Sequence, residues 1–592
     1  MSWILCFFLS VATLCGSVAA AAGLNKAKHR LHQLLTPINI MFFGTLLASI
    51  LIFFPIYANL YKADDLSFLE AILLSIHNML RLFVIDGELG FVADNIEGIP
   101  EWLYTPFFLF SALLFLLAPM MTLGFVLSFF KNLTAQMRLR LTRKKKIYIF
   151  SELNERSISL AEDLDRREKN ALFVFTDVFD ESGEMPYELL ESARRVGAVC
   201  LKNDIVTLQI TGNLKKSHIS FFLIGADESE NIGQAIKLIE RHNNRSNTDL
   251  YVLSAHEESE LLLSRIRNGE MRIRKINEVR ALIYRDLYEN GERFFKDAAE
   301  KTDKKITAVI VGMGEHGTEQ LKTLAWFCQM EGYQVRLHGF DRYRSAGSRF
   351  AMLCPELMDE RHNGNFSDDG EAQYEIRIHD GIDVDTASFY IELGNIPDIT
   401  YVLVSLGNDS RNILVATSLR TFFERMHIHP RIQAIVKDSN KKEAIAGAVN
   451  YSDQKYDIEY IGDIKSIYSV DVIINSELEK EALNRHLRWG NEADFWRFDY
   501  NRKSSCASAL HKRMKIACGM PGITLPPEQR QEADRMTLRK LEHRRWNAYM
   551  RSEGYIYSGS TEKSSRNNLG KMHHCLVTFD ELDEKEKRKD DD

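Results

Sequence analysis

Three glycines and one aspartate stand at a spacing that can bind a dinucleotide. Gly312, Gly314 and Gly317 follow an apolar run, a helical pattern comes next, and a second apolar run ends at Asp341. Strand, glycine turn, helix, strand and acid is the order that dinucleotide binding requires. The first glycine allows a tight turn, the second lets a pyrophosphate approach the backbone, and the third lets helix and strand pack closely. Asp341 would then accept a hydrogen bond from a ribose hydroxyl.

Length and composition limit the classes of protein that this chain can represent. It has 592 residues, of which 45% are hydrophobic, and a net charge of −7. A chain of this length has room for about three or four domains, and this charge suggests neither bulk nucleic-acid binding nor global disorder. The eight cysteines are scattered, without a CxxC pair or zinc spacing, so we expect reduced thiols and no structural metal.

The first 146 residues have the hydropathy of a membrane domain. Residues 3–22, 38–59 and 105–130 are apolar and near or above the roughly 20 residues that cross a bilayer as a helix. The first segment ends in small residues, as a secretory signal does, but no basic residue precedes its apolar run. A cleaved signal and a retained anchor are therefore both possible from hydropathy alone.

Charge placement favours the retained anchor. The loop 25–32 contains three basic residues, and residues 131–146 contain seven with no acid, whereas the segment between the second and third apolar runs is acidic. By the positive-inside rule both basic stretches face the cytoplasm. We therefore expect an inner-membrane protein with its N-terminus outside and residues 131–592 cytoplasmic. A cleaved first segment would place the glycine-rich domain outside, where no nucleotide pool exists.

An amphipathic segment lies between the second and third apolar spans. Residues 66–83 are apolar but interrupted by charged residues, and a turn containing Asp86, Gly87 and Glu88 follows. This order resembles the pore unit of two-span potassium channels, although a TVGYG filter is missing. The resemblance implies a pore in which the two acids favour cations without strong discrimination. The alternative is a surface helix with solvated acids.

The remainder of the cytoplasmic part contains an internal repeat with a period of about 160 residues. The copies are expected at 147–303 and 304–500, each with parallel strands alternating with helices. An acid and an asparagine follow the fourth strand of each copy, Asp227 and Asn231 in the first and Asp409 and Asn412 in the second. The first copy has Ser, Leu and Arg in place of the three glycines, so we expect only the second to bind a dinucleotide.

Tandem copies with these motifs, joined by a basic linker to a pore-like unit, resemble the RCK or TrkA-N domains that regulate potassium channels and transporters. The resemblance implies that Asp341 meets the ribose, that Asp380 lies near the base, and that 406–409 lines the far side of the pocket. The ligand is expected to be NAD(H) or an adenine nucleotide. His379 replaces a family glycine, and 344–374 is longer than usual. The expected binding residues are Gly312, Met313, Gly314, Glu315, His316, Gly317, Asp341, Arg342, Asp380, Leu406, Gly407 and Asn408.

The C-terminal residues 531–592 follow an expected linker, 501–530, and are predicted to form a small, mostly α module. Residues 536–589 resemble the RyR repeat of ryanodine receptors and of bacterial proteins, with His574 where that family commonly has proline. The resemblance implies a recognition module for a nucleotide-like ligand or a protein partner, and it includes no calcium loop of the EF-hand kind. Its expected recognition residues are His543, Arg545, Trp546, Tyr549 and His573.

These features predict an α-helical membrane domain, two tandem Rossmann-like parallel-sheet domains and an RyR-like module. The first functional hypothesis is an oligomeric, potassium-like cation channel gated by a nucleotide, with the C-terminal module as a second input. The alternatives are a membrane-anchored nucleotide sensor or signalling and defence effector without a pore, and an NAD-dependent oxidoreductase. The oxidoreductase is disfavoured because the sequence offers no substrate domain. The expected partners are a nucleotide, membrane lipid and further copies of the chain, but no nucleic acid.

Overall fold

A computed structural model describes residues 3–24, 37–63, 67–84, 86–87, 89–96, 98–140, 142–178, 187–255, 269–366 and 373–591. The chain forms two compact units. The first unit contains residues 1–153 and 170–218, and the second contains residues 154–169 and 219–592.

The first unit begins with helices, three of which are long and apolar enough to cross a membrane. Their apolar windows, Trp3–Ala21, Ile40–Leu60 and Glu101–Val126, match the three segments that hydropathy predicts. The five helices are α1 (Trp3–Leu24), α2 (Pro37–Ala63), α3 (Phe68–Phe83), α4 (Leu89–Asp94) and α5 (Glu101–Arg140).

Small residues bring α1 close to α2. The Ser10 hydroxyl donates to the carbonyl of Ala48 over 2.6 Å, and a Cβ placed on Gly44 would lie 2.2 Å from the Cβ of Ser17. The Trp3 ring meets Phe107 of α5 edge to face, with 5.5 Å between centroids. Close approach at small residues is the usual way in which apolar helices associate within a bilayer. The first helix is therefore packed as part of this helical domain.

Helix α5 extends well beyond its apolar part. It has 40 residues, which at about 1.5 Å per residue span about 60 Å, roughly twice the hydrocarbon core of a bilayer. The basic stretch expected as a linker is thus helical as far as Arg140. Only residues 141–145 separate this helix from the first strand of the α/β region.

Helix α3 is amphipathic, as its sequence predicts. A reciprocal capping box between Ser67 and Glu70 fixes its start, and Ala71, Met79 and Leu82 are buried on one face. The helix packs against α2 and α5.

The first six-stranded sheet has the order β3-β2-β1-β4-β5-β6. This is the order of a doubly wound dinucleotide-binding fold. Its elements are β1 (Lys146–Phe150), α6 (Glu155–Arg167), β2 (Ala171–Phe175), α7 (Tyr187–Arg195), β3 (Val199–Cys200), β4 (His218–Leu223), α8 (Glu228–His242), β5 (Thr248–Leu253) and β6 (Arg272–Ile276).

The second sheet repeats that order as β9-β8-β7-β10-β11-β12. The two Rossmann-like sheets that the repeat predicts are therefore present. The elements are β7 (Lys305–Val311), α11 (Glu315–Phe327), β8 (Gln334–Asp341), α12 (Ala346–Leu353), β9 (Tyr374–Asp380), α13 (Ala387–Gly394), β10 (Ile399–Val404), α14 (Asp409–Arg425), β11 (Arg431–Ile435), α15 (Ser439–Ile445) and β12 (Ile458–Ile461), preceded by α9 (Glu278–Asn290) and α10 (Glu292–Lys301).

The turn after the fourth strand is built in the same way in both copies. Asn231 accepts from the Gly225 N–H over 3.0 Å, and Asn412 accepts from the Leu406 N–H over 2.7 Å. Each amide also donates to the carbonyl of the last residue of the fifth strand, β5 or β11. The recurring asparagine thus ties the turn to the neighbouring strand.

The hydrogen bonds correct the alignment of the acids in this repeat. Asp227 caps α8 and Asn408 caps α14, so these two positions are equivalent. Glu228 and Asp409 are the second equivalent pair, because each carboxylate accepts from the backbone just after the fifth strand. The sequence motif aligns Asp227 with Asp409, and this alignment is wrong by one residue.

Helices follow the second sheet, and two of the segments expected there differ from the sequence interpretation. For residues 458–489 the sequence predicts a strand and one long, charged amphipathic helix. The strand β12 is present, but several short helices replace the long one because Asp463 and Ser476 each cap a new helix. The expected linker 501–530 begins as helix, since residues up to Ala517 are helical. The elements are α16 (Ile464–Ile467), α17 (Val470–Ile473), α18 (Glu477–His486), α19 (Glu492–Arg497) and α20 (Asp499–Ala517).

The C-terminal module is small and is built on one long helix, α21 (Glu532–Ser552). Two short parallel strands, β13 (Ile556–Tyr557) and β14 (Met572–His573), and the short helix α22 (Glu584–Lys587) complete it. Its apolar core contains Cys575, Val577, Phe579 and Leu582.

The packing of α1 on α2 gives a matched test. Gly44→Ala places a methyl group inside van der Waals contact with Ser17, whereas Gly16→Ala on α1 meets no atom within 4 Å. Overpacking of this kind costs about 1–3 kcal/mol, so we expect a melting temperature several degrees lower for Gly44→Ala in detergent and an unchanged one for Gly16→Ala. Equal melting temperatures for the two variants would contradict this helix contact.

Candidate functional site

A cavity of about 540 Å³ opens at the carboxyl ends of β7, β8 and β10. This is the edge of an open α/β sheet, at the point where the strand order reverses, where such folds bind ligands. Eight of the residues predicted from the sequence line it, namely Gly312, Gly314, Glu315, His316, Asp341, Arg342, Leu406 and Gly407.

The three glycines differ in conformation and surroundings. Gly312 has φ +96°, and a Cβ there would lie 2.6 Å from the carbonyl oxygen of Ser405. A Cβ on Gly317 would lie 1.9 Å from the Gly312 oxygen, so the helix can approach the strand only without a side chain. A Cβ on Gly314 would meet nothing within 4 Å. The open position is therefore the middle glycine, which lines the cavity.

The helix that starts at this turn has no side-chain cap. Gly314 is the N-cap of α11 and offers no acceptor to the first N–H groups of the helix. An uncapped helix start beside a cavity is an anion site, because unsatisfied N–H groups and the positive end of the helix dipole act together there. The cavity thus has backbone donors where a pyrophosphate would lie.

The equivalent helix of the first copy is closed to such a ligand. The Asn154 side chain accepts from the Ser157 N–H over 2.9 Å, and the Ser157 hydroxyl accepts from the Asn154 N–H over 2.9 Å. This reciprocal cap satisfies the N–H groups that a phosphate would need. Arg156, which the sequence aligns with the third glycine, lies one position before the structural equivalent Ser157 and pairs with Glu278 over 3.0 Å.

Asp341 supports the glycine turn from the end of β8. One carboxylate oxygen accepts from the Met313 N–H and the other accepts from the Tyr343 N–H, both over 2.8 Å. Each carboxylate oxygen can accept more than one hydrogen bond. Asp341 can therefore hold the turn and accept from a ribose hydroxyl together.

The outer wall of the cavity carries basic side chains held by neighbours. Arg342 lies over the Tyr343 ring, 4.9 Å from its centroid, and donates to its hydroxyl over 2.9 Å. Arg411 pairs with Asp385 over 2.8 Å, and Lys437 pairs with Glu278 over 3.3 Å. These cations are placed to approach phosphate oxygens or to stack against a base.

His316 is the second residue of α11 and lies close to the helix start. Burial, aided by the charge of Lys437, lowers the pKa of its imidazole to about 4. Its Nε2 atom is buried and has no hydrogen-bond partner among the described residues. A neutral imidazole whose Nε2 has no partner can donate one hydrogen bond to a ligand or accept one from it, according to its tautomer.

Four predicted binding residues do not line the cavity within the described chain, and they support it instead. Gly317 and Met313 contribute to the glycine turn. Asn408 caps α14, because its side-chain oxygen accepts from the Arg411 N–H over 3.0 Å. Asp380, expected near the base, accepts from the Gly347 N–H over 3.1 Å. Sequence reasoning left Tyr343, Asp383, Arg411 and Lys437 out of the site, although all four follow the carboxyl end of a strand.

His379, the departure from the resembling family, is packed rather than free. Its ring stacks on Phe340 with 4.3 Å between centroids, and its Nε2 lies 3.1 Å from the Nδ1 of His338. Burial lowers the pKa of both imidazoles, that of His338 to about 4. His379 thus packs behind Phe340, which lines the cavity.

The long polar insertion fastens the C-terminal module to the second fold. The Cys354 thiol donates to the Ser552 carbonyl over 3.2 Å, and Glu356 accepts from the Tyr557 N–H over 2.6 Å. Residues 367–372 of the insertion lie outside the described part. The insertion therefore has a structural use that the sequence alone does not reveal.

The helix beside the cavity is also joined to the module by buried charges. Arg280 of α9 donates to Glu319 of α11 over 2.6 Å and to Glu553 over 2.8 Å. Burial opposes these charges, but Arg280 and Lys322 outweigh it and lower the pKa of Glu319 to about 2. Along the same contact Trp326 meets Tyr549 edge to face at 5.8 Å.

The five residues expected to recognise a ligand in the module lie mostly inside it. His543, Arg545, Tyr549 and His573 are each 5% exposed or less, and Trp546 packs its ring edge against His573 at 4.9 Å. The His543 Nε2 lies 2.9 Å from the Val577 carbonyl. In this conformation these side chains hold the module together, and their role in recognition stays a prediction.

A group of three metal-type ligands is also found there. Side-chain atoms of His573, His574 and Cys575 lie within 4.8 Å of one another and are buried. However, the Nδ1 of His573 accepts from the Cys575 N–H over 3.1 Å, and the two imidazoles stack at 4.8 Å with only 14° between planes. Stacked rings cannot both point at one ion, so this arrangement is not a formed metal centre.

Two of the three residues expected to line a pore, Asp86 and Gly87, lie in the described part of the chain. Asp86 is exposed and pairs with Arg81 over 3.0 Å. A Cβ on Gly87 would lie 2.9 Å from the Phe115 ring, and Glu88 lies outside the described residues. The ion pair neutralises one of the two predicted pore acids within this chain.

Comparison with known proteins leaves the function to be inferred from this geometry, since neither a protein-family model nor a curated protein matches the chain.

The glycine turn gives a second matched test. Gly317→Ala forces a methyl group onto the Gly312 carbonyl, whereas Gly314→Ala enters open space at a φ that alanine adopts. We expect Gly317→Ala to lower the free energy of unfolding by about 1–3 kcal/mol and Gly314→Ala to leave it within about 0.5 kcal/mol. Chemical denaturation of the two variants measures this difference, and the reverse order would refute the turn geometry.

Proposed function

We propose that this chain is a membrane protein regulated by a nucleotide that binds in the second Rossmann-like fold. The observation that carries the proposal is the contrast between the two copies. The start of α6 is closed by the Asn154 cap, whereas the start of α11 is uncapped beside a cavity of about 540 Å³. Two copies of one scaffold have thus diverged at the atoms that bind phosphate.

The ligand that fits this cavity best is NAD(H) or an adenine nucleotide. Glycine and helix N–H groups would meet the phosphates, and Asp341 would accept from a ribose hydroxyl. A carboxylate at that position disfavours a 2′-phosphate by charge repulsion. Arg342, stacked on Tyr343, lies beside Asp341 and would cover the adenosine end.

Regulation requires that the ligand favour one of two conformations. The uncapped helix α11 is the natural moving part, because its start touches the ligand site and its side touches α21 of the C-terminal module through Trp326 and Tyr549. A ligand that orders the glycine turn would change the energy of this contact. The C-terminal module, which resembles an RyR repeat, would in this way act as a second input on the same helix.

The output that we propose is cation conduction by an oligomer of this chain. Support comes from the order of elements in the first unit, where the amphipathic helix α3 and a glycine-containing turn lie between two long apolar helices. Further support comes from α5, which continues from its apolar part to within a few residues of β1. A rigid helix of this kind transmits movement between a membrane domain and a strand.

A membrane-anchored nucleotide sensor without a pore is the second candidate. The ion pair between Arg81 and Asp86 favours it, because a paired carboxylate attracts cations less strongly. The test of nucleotide binding is common to both candidates, and the test of conduction separates them.

Nucleotide binding is tested by calorimetry of the full chain in detergent against NAD⁺, NADH, ATP and AMP. We expect one of these to bind, and we expect Gly314→Trp to weaken it at least tenfold because the indole fills the phosphate position. Gly233→Trp, in α8 of the first copy and also without neighbours within 4 Å, is the control. Binding that survives Gly314→Trp unchanged would refute the site.

Conduction is tested with the purified chain in liposomes loaded with potassium. We expect efflux that responds to the nucleotide identified by calorimetry, and we expect Asp86→Asn to change the ratio of potassium to sodium flux. Asp94→Asn, an exposed acid of α4, is the control and should leave that ratio unchanged. Liposomes that stay sealed with every bound nucleotide would exclude the channel and leave the sensor.

A further inference from the structure

A second cavity lies away from the nucleotide site, where the two Rossmann-like folds are joined. It has a volume of about 350 Å³ and is formed by the end of β6 together with α9, α17, α18 and α20. We call it the junction cavity. It shares no lining residue with the nucleotide cavity within the described chain. Its size falls in the range of small-molecule sites, about 300–1,000 Å³.

Most of the exposed surface area inside the junction cavity is apolar, although charged side chains are also part of its wall. Ile276, Tyr284, Ile473 and Leu478 line it and are themselves almost fully buried. They would pack against the body of an aromatic or aliphatic molecule. Apolar walls with a few placed polar groups are typical of sites for small organic ligands.

Two arginines in this wall have guanidinium nitrogens without a partner. Arg280 uses Nε on Glu319 and Nη2 on Glu553, and its buried Nη1 has no hydrogen-bond partner among the described residues. Arg274 donates from Nη1 to the Ile474 carbonyl and lies 4.0 Å from the Trp496 ring centroid. Its buried Nε also lacks a partner in the described chain. Buried donors that stay unpaired are costly, so they indicate a missing acceptor.

The acids around the wall already have cationic partners. Glu479 pairs with Arg274 and Arg502, and Asp499 pairs with Arg502 and Lys503. The acids that pair with Arg280, Glu319 and Glu553, lie outside the wall and balance its charge. The ligand group is therefore inferred from the two unpaired guanidinium nitrogens, which one carboxylate can serve with its two oxygens.

We propose that the junction cavity binds a small amphipathic monoanion, a molecule with an aromatic or aliphatic body and one carboxylate or similar group. The anionic group accepts from Arg280 and Arg274, and the body lies between Tyr284, Ile473 and Leu478. Because Arg280 also holds Glu319 of α11, this ligand acts on the same helix as the nucleotide. The site is independent of the nucleotide site and does not require that a nucleotide binds.

The probe pair that tests the proposal is 2-naphthoate and its neutral analogue 2-naphthamide, titrated by calorimetry into the full chain in detergent. We expect 2-naphthoate to bind at least tenfold more tightly than 2-naphthamide. Equal affinities, or no binding of 2-naphthoate at millimolar concentration, would overturn the proposal without the need for any variant.

Variants locate the probe. Ala281→Trp on α9 fills the junction cavity and should weaken 2-naphthoate at least tenfold, while Ala299→Trp, an exposed position on α10, should not. Gly314→Trp, which blocks the nucleotide cavity, should also leave 2-naphthoate binding intact. Unchanged binding to an Ala281→Trp chain that melts like the wild type would overturn the proposal.

A second variant covers the case in which Ala281→Trp does not fold. Arg280→Lys keeps a positive charge for Glu319 and Glu553 but removes the unpaired Nη1 donor. We expect it to weaken 2-naphthoate at least threefold and to leave the weak binding of 2-naphthamide unchanged. Equal losses for both probes would show that the guanidinium does not select the anion.

Discussion

The buried ion network around Arg280 is the interaction on which the second unit depends. Its guanidinium joins α9, which leads out of the first fold, to Glu319 of α11 and to Glu553 just after α21. Burial opposes the charge of Arg280, but Glu319 and Glu553 outweigh it and hold its pKa well above the usual value. Removing one partner of such a network costs about 3–5 kcal/mol, because an uncompensated charge stays buried. Three separate parts of the chain are therefore held at one point.

The two copies of the Rossmann-like fold show which features a duplicated scaffold keeps and which it changes. Both keep the strand order and the asparagine that ties the fourth-strand turn to the fifth strand. They differ at the first helix, where one start is capped by Asn154 and the other by a glycine without a side chain. Both copies keep the hydrogen bonds that hold the fourth-strand turn, whereas only the second leaves the first N–H groups of its first helix without a side-chain acceptor.

Departures from the resembling families acquire structural explanations. The insertion between β8 and β9 carries Cys354 and Glu356, which bond to the C-terminal module. The stacking of His379 on Phe340 fills space behind the cavity at the glycine turn. The histidines and aromatic residues of the module lie in its interior. In this conformation their positions along the helix are therefore explained by packing. The insertion thus attaches the module, and His379 shapes the wall behind the cavity.

The sequence by itself determined the three apolar helices, the two sheets, the glycine turn and eight residues of the cavity wall. These features are local, since hydropathy, strand periodicity and glycine conformation depend on neighbours in the chain. Only the tertiary structure decided that Arg411 and Lys437 line the cavity and that Asp380 accepts from the Gly347 N–H. It also decided that Glu228, and not Asp227, is the equivalent of Asp409. It also decided the junction cavity, whose walls come from segments about 200 residues apart. Side chains so distant in sequence meet only when the chain folds, and no local pattern encodes that meeting.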